Sequence, residues 1–192
     1  MAATNAELIL IDCGSTLVSR IHACFQPHVA RRRTITLVEA AEADFSTADL
    51  VVISGSPRQF TDPVQGRGYP EQFSFLSRVT CPVLGICAGH QGMGLYHGAR
   101  ISRCERQEAM EPIEFLVEHP LLDGIPSGTA FAERHSEEIT LPPGFRLLAR
   151  SKRCGVEMVV AEDLRRVGVQ FHPEISGEPG FRFFANLVSH WV

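Results

Sequence analysis

The sequence predicts an α/β protein: a mainly parallel, doubly wound sheet with helices on both faces, and additional antiparallel strands in the C-terminal half. Three observations predict it. The apolar runs Leu8-Ile9-Leu10-Ile11, Leu50-Val51-Val52-Ile53 and Pro82-Val83-Leu84 are short and continuous rather than alternating, as strands buried on both faces require. Helix-compatible segments separate these runs, the pattern of crossover connections in a parallel sheet. After Gly98 the apolar stretches follow one another across short polar turns, which suits adjacent strands of opposite direction.

Taken in order, residues 8–11 form the first strand, and Asp12-Cys13-Gly14-Ser15-Thr16 turns the chain into a helix over 17–30. The β-branched stretch 34–38 is a second strand, and 50–53 a third, ended by Ser54-Gly55-Ser56-Pro57. A polar loop rich in Gly and Pro, 58–70, leads into a helix over 71–78, and 82–86 is a strand running into a helix that continues over 91–97. Strands follow at 113–117, 145–149, 156–160 and 167–171, and an amphipathic helix over 181–191 closes the chain. No repeat, low-complexity tract or linker interrupts the 192 residues, so a single domain over 1–192 is expected.

Bulk properties exclude several classes. A net charge of −4 gives no electrostatic reason to expect nucleic-acid binding. The six cysteines are scattered without a CxxC pair in a chain too long for a disulfide scaffold, so reduced thiols and a cytoplasmic location are expected. The opening Met1-Ala2-Ala3-Thr4-Asn5-Ala6-Glu7 lacks a basic region followed by an apolar core, and no apolar run approaches the roughly 20 residues that span a bilayer. Neither a leader nor a membrane partner is expected. Clustered Cys/His or Asp-rich loops are missing from the sequence, so no metal and no cofactor is expected. Arg31-Arg32-Arg33 reads as a solvated face, with docking of a partner as the alternative.

The chemistry gathers in two motifs. Gly85-Ile86-Cys87-Ala88-Gly89-His90-Gln91 ends a strand at a cysteine flanked by small residues and turns straight into a helix. A thiol at a helix N-terminus sits where backbone N–H groups and the dipole favour the thiolate, whose ordinary pKa is about 8.5. The small neighbours permit a sharp turn, the logic of a nucleophile elbow. In Gly168-Val169-Gln170-Phe171-His172-Pro173-Glu174 an imidazole ends an apolar strand with a carboxylate two residues on, a base and the group that orients it. Alternation along an extended His-Pro-Glu segment is expected to put both side chains on one side. His90, inside the elbow helix, is expected to serve structure, and the remaining cysteines to be small buried hydrophobes.

Together the two motifs resemble the signatures of class I glutamine amidotransferases, the triad-type glutaminases. That resemblance implies a flavodoxin-like sheet, Cys87 as nucleophile, His172 as general base and acid, and Glu174 as the residue holding the imidazole. The turn with Gly55 and Ser56 is similar to the family's oxyanion loop, commonly Ser-Gly-Gly-Pro, which assigns the two oxyanion donors to the backbone N–H groups of Ser56 and Ala88. Serine replaces the commoner glycine at position 56 but retains its N–H. The same resemblance implies that Gly55, Gln91, His135 and Ser136 line the site for a glutamine substrate.

Within the family, Leu10-Ile11-Asp12-Cys13-Gly14-Ser15 and the stretches 141–145 and 149–151 resemble the glutaminase domain of GMP synthetases, although Thr16 stands where that branch has glutamine. No ATP-pyrophosphatase signature of the Ser-Gly-Gly-x-Asp-Ser type occurs. The expectation is a glutaminase that delivers ammonia to a separate synthetase subunit. Two alternatives stay open: a self-sufficient γ-glutamyl peptidase or hydrolase using the same triad, and a non-catalytic regulatory module with the same fold.

Overall fold

The computed structural model describes residues 4–192; Met1, Ala2 and Ala3, part of the stretch analysed for a leader, lie outside the described residues. Ten strands are present: β1 Thr4–Asp12, β2 Val29–Thr36, β3 Leu50–Ile53, β4 Val83–Ile86, β5 Ile101–Pro112, β6 Glu114–Phe115, β7 Ala130–Ile139, β8 Arg146–Arg150, β9 Met158–Ala161 and β10 Arg166–Val169. Three α-helices accompany them: α1 Val18–Phe25, α2 Ala88–Tyr96 and α3 Glu178–Trp191. Eight strands form one sheet in the order β2-β1-β3-β4-β10-β9-β8-β6, while β5 and β7 pair separately. Strands β2, β1, β3, β4 and β10 run parallel; β9, β8 and β6 continue the sheet in antiparallel fashion. This is the mainly parallel sheet with added antiparallel strands that the sequence predicts.

The continuous apolar runs have a direct cause. Successive side chains of a strand point to opposite faces, and both faces of this sheet are covered. Leu8, Leu10, Val52, Leu84 and Ile86 pack with Ile21, Phe25, Phe183 and Phe184 of α1 and α3. Ile9, Ile11, Val51, Ile53 and Val83 pack on the other face with Phe73, Phe75 and Met93. Strands β3, β4 and β10 are therefore buried at every position.

Several elements differ from expectation. The first helix is only Val18–Phe25, and the second strand begins at Val29 rather than Thr34, so Arg31, Arg32 and Arg33 belong to an edge strand. An edge strand tolerates charge on its open side, and Arg33 Nε donates to Glu7 Oε1 at 2.9 Å. The helix expected over 71–78 is a 3₁₀ segment, Pro70–Arg78, in which Phe73 and Leu76, one 3₁₀ turn apart, are both buried. Strands β5 and β7 were not foreseen. They make a polar ribbon of two antiparallel strands, with Gln107 opposite His135 and Ala109 opposite Glu133. Among the described residues, no helix is long and apolar enough to cross a membrane.

Candidate active site

Strand β4 delivers Cys87 directly to the N-terminus of α2, with the Cys87 N–H held by the Val169 carbonyl of the neighbouring β10 at 2.8 Å. The cysteine adopts φ 51°, ψ −108°, a left-handed conformation that L-residues avoid. Such a bend persists because the packing around it leaves no alternative. A Cβ on Gly89 would lie 2.3 Å from the Ile53 carbonyl oxygen, and one on Gly85 would lie 2.7 Å from Gly89 backbone, so only glycine lets α2 press this closely on the sheet. His90 occupies the space beside Gly168, where it is fully buried; burial lowers its pKa to about 3, and it stays neutral. It is not among the residues that line the cleft.

His172 follows β10 and is pinned to β7 by its N–H, which donates to the Ala132 carbonyl at 2.8 Å. Its Nδ1–H donates to Glu174 Oε1 at 2.8 Å, and the Glu174 side chain is fully buried. The contact is not made along an extended segment. Pro173–Ile175 is a 3₁₀ turn, closed by Ile175 N–H on the His172 carbonyl at 3.3 Å, and the turn brings the carboxylate under the ring. Burial depresses the His172 pKa, but the Cys87 thiolate charge, a hydrogen bond with the Cys87 side chain and the Glu174 carboxylate outweigh it and hold the imidazole well above its ordinary value. With Nδ1 committed to Glu174, Nε2 is left to face the thiol. An imidazole with a raised pKa beside a thiol is the arrangement that a cysteine nucleophile and its acid–base partner require.

The turn after β3 lies against this pair: a Cβ on Gly55 would sit 3.2 Å from His172 Cε1 and 3.6 Å from Cys87 Cβ. Ser54, which sequence reasoning did not single out, fixes the loop. Its hydroxyl accepts the Cys13 N–H at 2.9 Å and donates to the Gly55 carbonyl at 2.9 Å. Holding that carbonyl fixes the Gly55–Ser56 peptide plane, so the Ser56 N–H points the opposite way. Ala88 opens α2, and its N–H is one of the first-turn donors that have no intrahelical acceptor.

A cleft of about 270 Å³ opens over the thiol, lined by Cys87, His172, Ser56, Gln91, His135 and Ser136, with Arg58, Arg106 and Arg134 among the charged groups around it. The structure thus places the candidate catalytic, oxyanion and substrate residues at or beside this cleft, with refinements, while Arg31, Arg32 and Arg33 lie apart on the edge strand β2. Gln91 is buried, and its Nε2 donates to the Glu137 carbonyl at 2.8 Å and to Gln170 Oε1 at 3.0 Å, leaving its Oε1 as the free end. His135 is buried with Nδ1–H on the Glu137 carbonyl at 3.0 Å, while Nε2 lies 3.2 Å from Glu133 Oε2 without a hydrogen bond. Ser136 Oγ accepts from Gln59 Nε2 at 2.8 Å. Glu133, Glu137 and Glu157, all buried, escaped the sequence reading because nothing in a lone glutamate marks it as interior. Among the described residues, no group of His, Cys, Asp or Glu is arranged to hold a metal ion, and all six cysteines are free.

A strained thiol, an imidazole and an orienting carboxylate gathered at one cleft are an arrangement suited to acyl transfer by a thiol. The sequence profile of the family described as Glutamine amidotransferase class-I matches residues 9–189. The chain is 43% identical over 112 residues to the glutamine-hydrolyzing GMP synthase subunit of Thermococcus kodakarensis, a match covering 55% of this chain and 60% of that protein. It is 31% identical over 143 residues to the protein of the same name from Sulfolobus acidocaldarius, covering 73% and 75%. A solved structure of a putative GMP synthase subunit from Thermoplasma acidophilum superposes with a TM-score of 0.85 at 22% identity, over 97% of this chain and 94% of that one, a likeness of fold. The chain belongs to the class I glutamine amidotransferase family.

Proposed function

We propose that the chain is the glutaminase component of a GMP-synthase-like amidotransferase, hydrolysing the side-chain amide of glutamine and passing ammonia to a separate synthetase subunit in the cytoplasm. The observation that carries this reading is the His172–Glu174 bond of 2.8 Å beside a left-handed Cys87 at a helix N-terminus. The Cys87 thiolate adds to the carboxamide carbon, and the resulting oxyanion is met by the Ser56 and Ala88 N–H groups. His172, as imidazolium, gives its proton to the departing nitrogen; the C–N bond breaks, ammonia leaves, and a γ-glutamyl thioester remains. Water then attacks the thioester while the now neutral His172 takes its proton. Collapse of the second tetrahedral intermediate expels the thiolate and yields glutamate.

The separate acceptor is supported by the names of the relatives, which are glutamine-hydrolyzing subunits of GMP synthases; this chain spans 60% of the one from Thermococcus kodakarensis and 75% of the one from Sulfolobus acidocaldarius. The purified chain, incubated with glutamine and with γ-glutamyl peptides, is expected to release ammonia and glutamate from glutamine, and Cys87→Ala is expected to lose at least about 10⁴-fold in turnover while keeping its fold. Preference for γ-glutamyl peptides would move the assignment to a hydrolase. Turnover retained in Cys87→Ala would remove the nucleophile from the mechanism.

A further inference from the structure

Glu137 is the most connected residue around the cleft, and the mechanism above does not use it. Its side chain comes from β7, is buried at 3% exposure, and reaches across to the segment that follows the Ser54-Gly55-Ser56-Pro57 turn. One carboxylate oxygen accepts the Phe60 N–H at 2.9 Å and the other the Thr61 N–H at 2.7 Å. Two consecutive amides on one carboxylate form a bidentate, charge-assisted clamp. The neighbouring Ser136 adds the Gln59 bond at 2.8 Å, and Arg103 Nε donates to Thr61 Oγ1 at 3.0 Å. The backbone of the same residue faces the other way: the Glu137 carbonyl accepts from Gln91 on α2 and from His135. One residue therefore ties the elbow helix, the ribbon and the oxyanion loop together.

We propose that Glu137 is a positioning residue for the oxyanion hole: its carboxylate holds the loop 59–61 on β7 so that the Ser56 N–H is preorganised toward the oxyanion formed when Cys87 attacks the carboxamide. The inference rests on the glutaminase reading above. Ser54 fixes the loop from its N-terminal side through the Gly55 carbonyl, and Glu137 fixes it from its C-terminal side. Without the clamp, two amides are left to find other acceptors in a segment where Phe60 is stacked on Tyr69 at 4.3 Å, and the loop gains freedom at the donor that matters in the transition state. Preorganised donors act on the tetrahedral oxyanion rather than on bound substrate.

The test uses the full chain as Glu137→Ala and as the nearly isosteric Glu137→Gln, which keeps one acceptor oxygen. For glutamine hydrolysis, kcat is expected to fall about 10- to 100-fold in Glu137→Ala and less in Glu137→Gln, with KM unchanged within about twofold. Glutamate γ-semialdehyde, which adds to Cys87 as a tetrahedral thiohemiacetal, is expected to lose affinity by the same factor as kcat. Alkylation of Cys87 by iodoacetamide, which uses no oxyanion hole, is expected to keep its rate. A merely structural role would move all these readouts together, and that outcome overturns the assignment, as does an unchanged kcat or a change confined to KM. Amide hydrogen exchange of Phe60 and Thr61 reads the clamp without catalysis: protection is expected to drop in Glu137→Gln, and unchanged protection overturns the proposal. Lost protection in a chain whose wild type does not hydrolyse glutamine would sink the glutaminase reading, and with it the catalytic role of Glu137, while leaving the physical clamp in place.

Discussion

The cleft has two walls built on opposite principles. The first comes from the parallel part of the sheet, where β3, β4 and β10 are buried at every residue and the backbone shapes the cleft: a left-handed Cys87, a fixed peptide plane at Gly55 and the open amides of α2. The second is the β5–β7 ribbon, mostly exposed along β5, which turns the side chains of Glu133, His135 and Glu137 inward, with the Glu137 carboxylate and His135 Nδ1 hydrogen-bonded. A strained nucleophile needs a support that cannot relax, and close-packed aliphatic strands provide it. The ribbon instead buries polar side chains, some tied by hydrogen bonds, as Glu137 is, and others, such as the Glu133 carboxylate, without a hydrogen-bond partner among the described residues.

If the first wall carries the chemistry, damage there should exceed anything done to the ribbon. Glu174→Gln is the sharpest case. A carboxamide at that position can present N–H to His172 Nδ1, which disfavours the Nδ1–H tautomer now held by Glu174 Oε1 at 2.8 Å. The expected loss in kcat is about 10³- to 10⁴-fold, roughly 4–5.5 kcal/mol in the barrier, beyond the 10- to 100-fold set for the ribbon's Glu137. Steady-state glutamine hydrolysis checks it. A loss of less than about 100-fold would erase the distinction between the two walls.

The contrast also explains what was legible in the sequence. Apolar runs report burial directly, so β1, β3 and β4 and the sheet class could be read from residues 8–11, 50–53 and 82–86. The thiol and imidazole stood out because glycines and small residues crowd the first and a strand end precedes the second. The ribbon left no such trace: five of the twelve residues of Ile101–Pro112 are charged and no apolar run occurs, so its inward positions are recognised only once β7 lies opposite. Glu137 and Ser54 were missed for the same reason, since their partners lie far off in sequence or in the backbone itself. The His172–Glu174 contact was foreseen for the wrong geometry, because proline in an apparently extended stretch equally permits a 3₁₀ turn.

The elbow's rigidity can be challenged without touching a reacting atom. In Gly89→Ala the new methyl would meet the Ile53 carbonyl at 2.3 Å, backbone against backbone, with no flexible side chain able to yield. The expected cost is about 3 kcal/mol of stability in urea unfolding, accompanied by lower turnover because α2 and the Ala88 N–H move with the shift. On the ribbon, the exposed Arg134→Ala should change stability by less than about 0.5 kcal/mol. Equal stability losses at the two sites would mean that the sheet does not enforce the bend.

The smallest expected effect is one of pH. Burial, and then the charge of Glu133, pushes the Glu157 carboxyl up to about 9, and burial pushes Glu133 up to about 7, from an ordinary value of 4.5. The folded state thus keeps protons that the unfolded chain releases, so the stability linked to them is whole below pH 4.5 and is lost as pH rises through these folded values. His90 in the parallel half has the reverse linkage: burial lowers its pKa from 6.5 to about 3, and stability falls as pH drops below 6.5. Glu157→Gln preserves shape and cannot ionise. Relative to the parent it is expected to gain about 1 kcal/mol or more in going from pH 6 to pH 9, measured by urea midpoints at both values, with no such gain between pH 4 and pH 5 beyond the small one from the unfolded carboxyl. An offset constant across this range would show that Glu157 ionises freely in the folded state.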